Sequence, residues 1–213
     1  QRELSQMAFF DPEAFDVKVE PDPERNEVDI TYVLAEKSSS QIQLQGGWGA
    51  NRIVGSLNLV FDNFSTKNIL NGKSWSPLPS GDGQRLSLSA SSNGAYYQNY
   101  NISFTEPWLG GKKPNALTVS VYKSVSSNGQ EAEKREAIEI LGLTVGIGKR
   151  LKNPDDYFTI YNGINFQQYK LINSQSFFTF KDGFSNNVNY NIRLGRNSVD
   201  QLIFPRRGSN FSL

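Results

Sequence analysis

The sequence predicts a mainly β protein whose long antiparallel strands form a transmembrane up-and-down β-barrel. Three observations support this fold class. The aromatic and glycine contents are high, with 14 Phe, 9 Tyr, 3 Trp and 18 Gly in 213 residues. The polar faces of the predicted strands are small and neutral, rich in Ser, Asn, Gln and Thr. Eight segments alternate polar and apolar residues, and most are long: 41–50, 52–62, 85–91, 96–105, 116–124, 137–149, 157–169 and 187–196.

A soluble β-sandwich is the alternative, because its strands alternate in the same way. Sandwich strands, however, average ~5–6 residues, and a soluble surface usually carries many Lys and Glu side chains. In an outer-membrane barrel the apolar side chains face lipid and the polar side chains face the lumen. Strand length and neutral polar faces therefore favour the barrel, and no predicted strand carries a charge in the centre of its apolar face.

Two predicted strands deviate from strict alternation. The segment 137–149 changes phase after Ile140, which either a β-bulge or the membrane boundary would explain. In the segment 157–169, Asn162 interrupts the apolar face.

The connections between the predicted strands also alternate in character. Those after the second, fourth, sixth and eighth strands contain proline and basic residues, and all but the sixth contain glycine, whereas the others mostly lack proline. Up-and-down connectivity would place the first set on one side of the membrane and the second set on the other. Aromatic residues near the strand ends fit the two interfacial belts of such a barrel.

Composition excludes several function classes. The 22 basic and 21 acidic residues nearly cancel, so no basic field indicates nucleic-acid binding. The absence of Cys and His removes thiolate metal ligands and the commonest general base. No apolar run exceeds four residues, whereas a transmembrane helix needs ~20. We expect no catalytic residues, no metal site and no cofactor, and hence a protein that is not an enzyme.

Two short acidic segments are candidates for a metal or phosphate site. Asp155 and Asp156 follow an Asn-Pro pair, and residues 80–83 read Ser-Gly-Asp-Gly. Neither is accompanied by further carboxylates or by a helix that would complete such a site. The sequence therefore predicts that both are turns.

The first forty residues differ from the rest. Residues 2–15 read as the end of a helix closed by a turn, and the segments 15–20 and 27–37 alternate as two strands. Val28, Ile30 and Tyr32 share one face of the second strand. The pattern predicts a small α+β unit before the barrel.

Several motifs occur in an order that resembles the Omp85 superfamily, and within it the BamA-like β-barrel assembly proteins. The quoted runs are VDITYVLAEKSSSQIQLQGGWG, SGDGQRLSLSASSN, YNISFTEPWLGGKKP and FPRRGSNFSL. Phe104, Pro107 and Trp108 resemble the aromatic–Pro–aromatic motif that closes the family's fourth strand. Proline cannot donate to the β-ladder, which suits a strand end.

The resemblance implies a domain organisation. Residues 1–37 would be the C-terminal part of the last POTRA domain, a periplasmic module. Residues 38–213 would be the N-terminal half of a 16-stranded barrel, with strands 1–8 and the start of strand 9. The implied location is the bacterial outer membrane, with the POTRA portion in the periplasm.

The resemblance also implies a function: folding and inserting outer-membrane proteins through a lateral gate at the first barrel strand. An unfolded barrel protein would add its own strand to this edge, by hydrogen bonds that require little sequence specificity. Implied partners are these unfolded substrates, accessory Bam-type lipoproteins or surface proteins, and outer-membrane lipid, but no nucleic acid. The candidate gate residues are Gln41, Ile42, Gln43, Leu44, Gln45, Gly46, Gly47, Trp48 and Gly49.

Glycine weakens strand packing and makes a strand easier to bend, which suits a gate; relief of crowding at a barrel corner would explain the same glycines. Two other functions remain alternatives. One is an Omp85-type secretion or translocation pore, and the other is a passive porin-like structural barrel, which the unit at residues 1–37 disfavours.

Overall fold

The residues that the structure describes form two antiparallel sheets, one of two strands and one of nine. The computed structural model describes residues 14, 16–22, 27–35, 40–49, 52–75, 77–111, 113–173, 182–199 and 206–213. The small sheet pairs β1, Asp16–Asp22, with β2, Glu27–Val33. This hairpin matches the two strands predicted near the N-terminus, while most of the helix predicted at 2–15 lies outside the described residues.

The nine-stranded sheet contains one strand for each of the eight predicted strands and one more, β11. Short 3-10 helices occur at Lys67–Leu70, Gly72–Ser74 and Ala132–Lys134. The strands are β3 Gln41–Gly49, β4 Arg52–Phe64, β5 Gln84–Asn93, β6 Tyr97–Glu106, β7 Asn115–Ser127, β8 Ala137–Arg150, β9 Phe158–Ile172, β10 Gly183–Asn197 and β11 Asn210–Ser212.

Each described strand of this sheet pairs antiparallel with its neighbours in sequence, in the order β11-β10-β9-β8-β7-β6-β5-β4-β3. A single sheet in this order is an up-and-down meander, and it shows that the sandwich alternative was wrong. Among the described residues β3 and β11 form opposite edges and do not pair with each other, so the barrel is not closed.

The two ends of the sheet differ, as the sequence predicted. The strand ends that adjoin the connections 65–83, 107–114, 151–157 and 198–209 lie at one end of the sheet, and the sequence of each of these connections contains proline. We call this the proline end. The strand ends that adjoin the other connections lie at the opposite end, the hairpin end, and those connections contain no proline in their sequence.

One face of the sheet is apolar and exposed, and we call it the apolar face; the other is the polar face. Cross-strand pairs such as Leu44↔Leu57 and Val121↔Leu143 keep apolar residues on the same side from strand to strand. Exposed apolar patches on this scale indicate contact with lipid or with other proteins. Exposed members are Ile42, Leu44, Ile53, Leu57, Ile102, Val121, Leu141, Leu143, Val145, Ile147, Ile164, Phe166, Val188, Tyr190 and Ile192.

Charged residues limit the apolar face at both ends. On β8, Lys149 lies toward the proline end and Glu139 toward the hairpin end, where Glu139 pairs with Lys170 at 4.0 Å. The ten-residue separation spans about 33 Å along a strand, or about 25 Å across a membrane at the usual tilt of ~40°. Lys123 continues the apolar face of β7 beyond Val121, so that strand reaches this boundary earlier.

The β-bulge considered for the segment 137–149 is absent. β8 pairs with β7 and with β9 over its whole length without a register shift. Ile138 and Ile140 therefore lie on the polar face near the hairpin end. The phase change coincides with the end of the apolar band on β8. The β-bulge is therefore excluded, and the membrane boundary stays a prediction.

The polar interruption at Asn162 is compensated within the apolar face. The Tyr190 hydroxyl donates a hydrogen bond of 2.8 Å to Asn162 Oδ1. The pairing supplies a partner for each polar group, which lowers the cost of placing both on an apolar surface. None of the helices in the described part of the chain is long and apolar enough to cross a membrane.

Candidate functional site

The predicted gate strand lies at an edge of the nine-stranded sheet. β3 pairs with β4 from Gln41↔Val60 to Gly49↔Arg52, and no described strand pairs with its other side. Nearly every residue of β3 is exposed. An unpaired edge presents a row of free backbone donors and acceptors, which is a template for another strand. The structure thus places all nine predicted residues, 41–49, on this one edge strand.

The two faces of β3 differ in polarity. Ile42 and Leu44 lie on the apolar face, as does Trp48, which is 91% exposed near the hairpin end. Gln43 and Gln45 lie on the polar face, where Ser56 donates a weak hydrogen bond of 3.5 Å to Gln45 Oε1. This hydrogen bond is long, so it holds β3 to β4 only weakly on the polar face.

The glycines of β3 are not crowded by the described residues. An added Cβ would come no closer than 3.9 Å to another atom at Gly46 and 3.6 Å at Gly47, and would meet nothing within 4 Å at Gly49. These are ordinary contacts. Relief of crowding against β4 therefore does not explain these glycines.

The aromatic–Pro–aromatic motif closes β6 at the proline end. Phe104 packs edge-on against Phe64, with ring centroids 6.3 Å apart. β6 ends at Glu106, directly before Pro107, and the turn is closed by a hydrogen bond from Gly111 N to Trp108 O at 2.7 Å. The motif is thus positioned at the end of a strand, as its residue types predict.

Glu106, directly before Pro107 of this motif, has a structural role that the sequence does not predict. Its Oε1 accepts a hydrogen bond from Trp108 N at 3.0 Å, and its Oε2 accepts one from Gln84 Nε2 at 2.7 Å. Gln84 is only 4% exposed and also bonds Thr66 through the Thr66 N–H at 2.8 Å. One carboxylate therefore connects the turn after β6 to the start of the connection 65–83.

The connection 65–83 is held closed by a second polar cluster. Ser65 is fully buried and donates a hydrogen bond of 2.5 Å to Asp82 Oδ2. Asn63 Oδ1 accepts from Gly83 N at 2.9 Å. The Ser65 hydrogen bond, with Lys67 nearby, lowers the pKa of Asp82 below its usual value. Residues 80–83 thus form a turn, as predicted, and Asp82 joins this turn to Ser65 at the start of the connection.

Asp155 is also more than a solvated turn residue. Both Nε and Nη2 of Arg196 contact its Oδ2, at 3.1 and 2.8 Å, and Tyr157 N donates to its Oδ1 at 3.0 Å. These hydrogen bonds, that from Arg196 foremost, lower the pKa of Asp155. Arg196 also donates hydrogen bonds to Ser198 and Ser209. This group therefore joins the connection before β9 to the connection after β10, both at the proline end.

Tyrosines cover glycines on the polar face of β7, β8 and β9. The Tyr122 ring occupies the space where a Cβ at Gly142 would lie, and Tyr161 occupies that space at Gly146. The Tyr122 hydroxyl accepts a hydrogen bond of 2.5 Å from Gln167 Nε2. This part of the sheet is therefore tightly interlocked, in contrast to β3.

The comparison with known families accords with this geometry. The Omp85 superfamily domain matches residues 80–213, more than half of the chain. The chain belongs to the Omp85 superfamily. No match is found among curated proteins.

A solved structure shares the fold of this Omp85 chain. It is the crystal structure of BamA from Haemophilus ducreyi lacking POTRA domains 1–3, with a TM-score of 0.55 and 18% sequence identity. The likeness covers 99% of this chain and 40% of the BamA chain, so this chain spans well under half of that protein. The fold is therefore BamA-like, with antiparallel strands in the arrangement of a barrel wall.

Proposed function

We propose that this Omp85 chain forms the N-terminal half of a 16-stranded barrel in the bacterial outer membrane. In this proposal residues 38–213 supply strands 1–8 and the start of strand 9. Residues 1–37, with the β1–β2 hairpin, belong to a periplasmic POTRA domain. The support is the superfamily match, the BamA-like fold and the exposed apolar face.

We further propose that β3 is the gate through which outer-membrane proteins are folded and inserted. The observation that carries this proposal is the set of three uncrowded glycines in β3, which pairs only with β4 among the described strands. A glycine-rich strand with little side-chain packing is easy to detach or bend. An incoming strand gains backbone hydrogen bonds by pairing with it, which needs little sequence specificity.

The reaction requires no covalent chemistry. Unpaired backbone groups are costly in hydrocarbon, so a substrate strand that pairs and then closes into its own barrel lowers its free energy. Accessory lipoproteins or surface proteins would be partners of the whole assembly. The proposed role of this chain is to offer β3 as a pairing partner for the substrate strand.

Disulfide trapping tests the gate. Gln43 and Asn58 are cross-strand partners on the same face, but only Gln43 is on the edge strand. In the full-length protein, Gln43→Cys is expected to trap a cysteine in the terminal strand of an arrested substrate barrel, whereas the matched control Asn58→Cys traps little.

Two results would contradict the proposal. Equal disulfide trapping of the substrate from Gln43→Cys and Asn58→Cys would indicate nonspecific proximity. If the folded protein trapped no substrate at all, β3 would not be the gate. Ion conductance in planar bilayers with one dedicated exported partner would instead favour the secretion or translocation pore.

A further inference from the structure

The connection 65–83 presents an exposed apolar surface at the proline end. Leu70 is 98% exposed, and Ile69 and Trp75 are each 47% exposed. Lys67, whose side chain is 80% exposed, and Lys73 lie beside them. We call these five residues the 67–75 tip.

The tip is ordered by its own hydrogen bonds. Two 3-10 helices, Lys67–Leu70 and Gly72–Ser74, form its backbone. Trp75 Nε1 donates to Ile69 O at 3.3 Å, and Trp75 forms a bridge with Pro79. These hydrogen bonds order the backbone of the connection while Ile69, Leu70 and Trp75 remain exposed.

The base of the tip lies on the apolar face of the sheet. Gln84 and Glu106 continue the apolar faces of β5 and β6, two positions beyond Leu86 and Phe104. Gln84 Nε2 is 3.1 Å from Thr66 Oγ1. The residue that precedes the tip is thus bonded to the apolar face at its proline end, so the tip is continuous with the surface proposed to contact lipid.

Charge and composition match a membrane interface. The connection 65–83 contains two lysines and one acid, Asp82, which is bonded by Ser65 and Lys67. Tryptophan is enriched at the level of lipid headgroups, and lysines flanking an apolar segment reach toward phosphates while their stems remain on apolar surface. A basic segment is attracted electrostatically to anionic lipid.

We propose that the 67–75 tip is an interfacial anchor that inserts Ile69, Leu70 and Trp75 into the phospholipid headgroup region at the proline end, with Lys67 and Lys73 binding anionic headgroups. This inference rests on the proposed membrane location of the chain and is independent of the gate. It gives the sheet a fixed depth in the leaflet at the strand pair β4–β5, close to the edge strand.

Fluorescence quenching tests the anchor. The chain contains no cysteine, so a single Leu70→Cys, made in an otherwise cysteine-free full-length protein, can carry a bimane label. In phosphatidylcholine–phosphatidylglycerol vesicles we expect the bimane emission to shift to the blue. A lipid that carries a spin label on its headgroup should quench most of this emission. Glu131→Cys, exposed at the hairpin end, is the water-facing control and keeps its emission.

Two further variants separate the causes. Val145→Cys, on the apolar face, reports membrane embedding by quenching with an acyl-chain spin label. Lys67→Gln with Lys73→Gln should reduce Leu70→Cys quenching in vesicles with phosphatidylglycerol and leave it unchanged in pure phosphatidylcholine.

Three results would overturn the anchor. Quenching at Val145 without quenching at Leu70 removes the anchor and leaves the membrane location intact. Absence of quenching at both removes the membrane location as well. Shielding of Leu70 only after another protein is added identifies the tip as a protein-docking surface instead.

Discussion

The side-chain amide of Gln84 and the carboxylate of Glu106 meet at the proline end of the sheet, with 2.7 Å between Gln84 Nε2 and Glu106 Oε2. The second oxygen of Glu106 accepts from Trp108 N. The motif that closes β6 therefore also fixes the connection that follows β4.

Removing this carboxylate should loosen both connections. Glu106→Ala leaves the Trp108 N–H and one donor of the buried Gln84 amide without their acceptor, which costs about 1–3 kcal/mol of unfolding free energy. Urea unfolding in lipid vesicles measures the loss. Gln98→Ala, which removes a long 3.4 Å hydrogen bond to Gly94 O at the hairpin end, should change stability little. Equal losses from the two variants would contradict the role of Glu106.

The glycine at 142 should be intolerant of a side chain. Gly142→Ala places a methyl group inside the Tyr122 ring, and such overpacking costs about 1–3 kcal/mol. Gly148→Ala is the matched control on the same face of β8, where the nearest atom would be 3.9 Å away. It should be neutral or slightly stabilising. Adding Tyr122→Leu should recover much of the Gly142→Ala loss; no recovery would mean that the cost arises elsewhere.

Closure of the connection 65–83 should depend on pH only in acid. The pKa of Asp82 is below its usual 3.8, so the ionised carboxylate stabilises the folded connection at neutral pH. This stabilisation is present above about pH 4 and is lost as the pH falls through the lowered pKa. Limited proteolysis within 65–83 against pH measures it. Ser65→Ala should raise the pKa of Asp82 and cost about 1–2 kcal/mol. Asp82→Asn should abolish the pH dependence, and its persistence would point to another group.

The glycines of β3 should matter for activity more than for stability. Gly46→Ala with Gly47→Ala introduces only contacts of 3.6 Å or more, and alanine in a strand is more stable than glycine by about 0.5–1 kcal/mol. The folded protein should be as stable as before or more so, while its rate of substrate assembly in vesicles falls because the edge strand is stiffer. Gly55→Ala on β4, opposite Gly46, should leave the rate unchanged. A normal rate in the double variant would argue against a flexible gate.

The strands of the barrel wall could be predicted because their alternation has a period of two and the apolar face is uniform. Leu86, Leu88 and Ala90 set the face of β5 without help from any other segment. The edge position of residues 41–49 followed from the resemblance, since a strand's own residues do not state whether one or both of its sides are paired.

The contacts that fasten the proline end could not be predicted. Gln84 and Glu106 are polar residues at predicted strand ends, where solvent exposure is the usual expectation. The burial of Gln84 depends on Thr66 folding back against β5, which needs the connection 65–83. Likewise, nothing in the spacing of Tyr122 and Gly142 shows that they are opposite each other; only the register of β7 and β8 does. A glutamate between a strand-closing aromatic and a proline is the sequence signal that points to this contact.

The strand order has a consequence for how the protein itself folds. Every described strand of the sheet pairs with the strands next to it in sequence, and no pairing closes a connection longer than 65–83. Such local topology keeps the entropic cost of each pairing low, so the sheet can grow one hairpin at a time. Each described strand then needs only its neighbour in sequence as a template, and no pairing has to wait for a distant part of the chain.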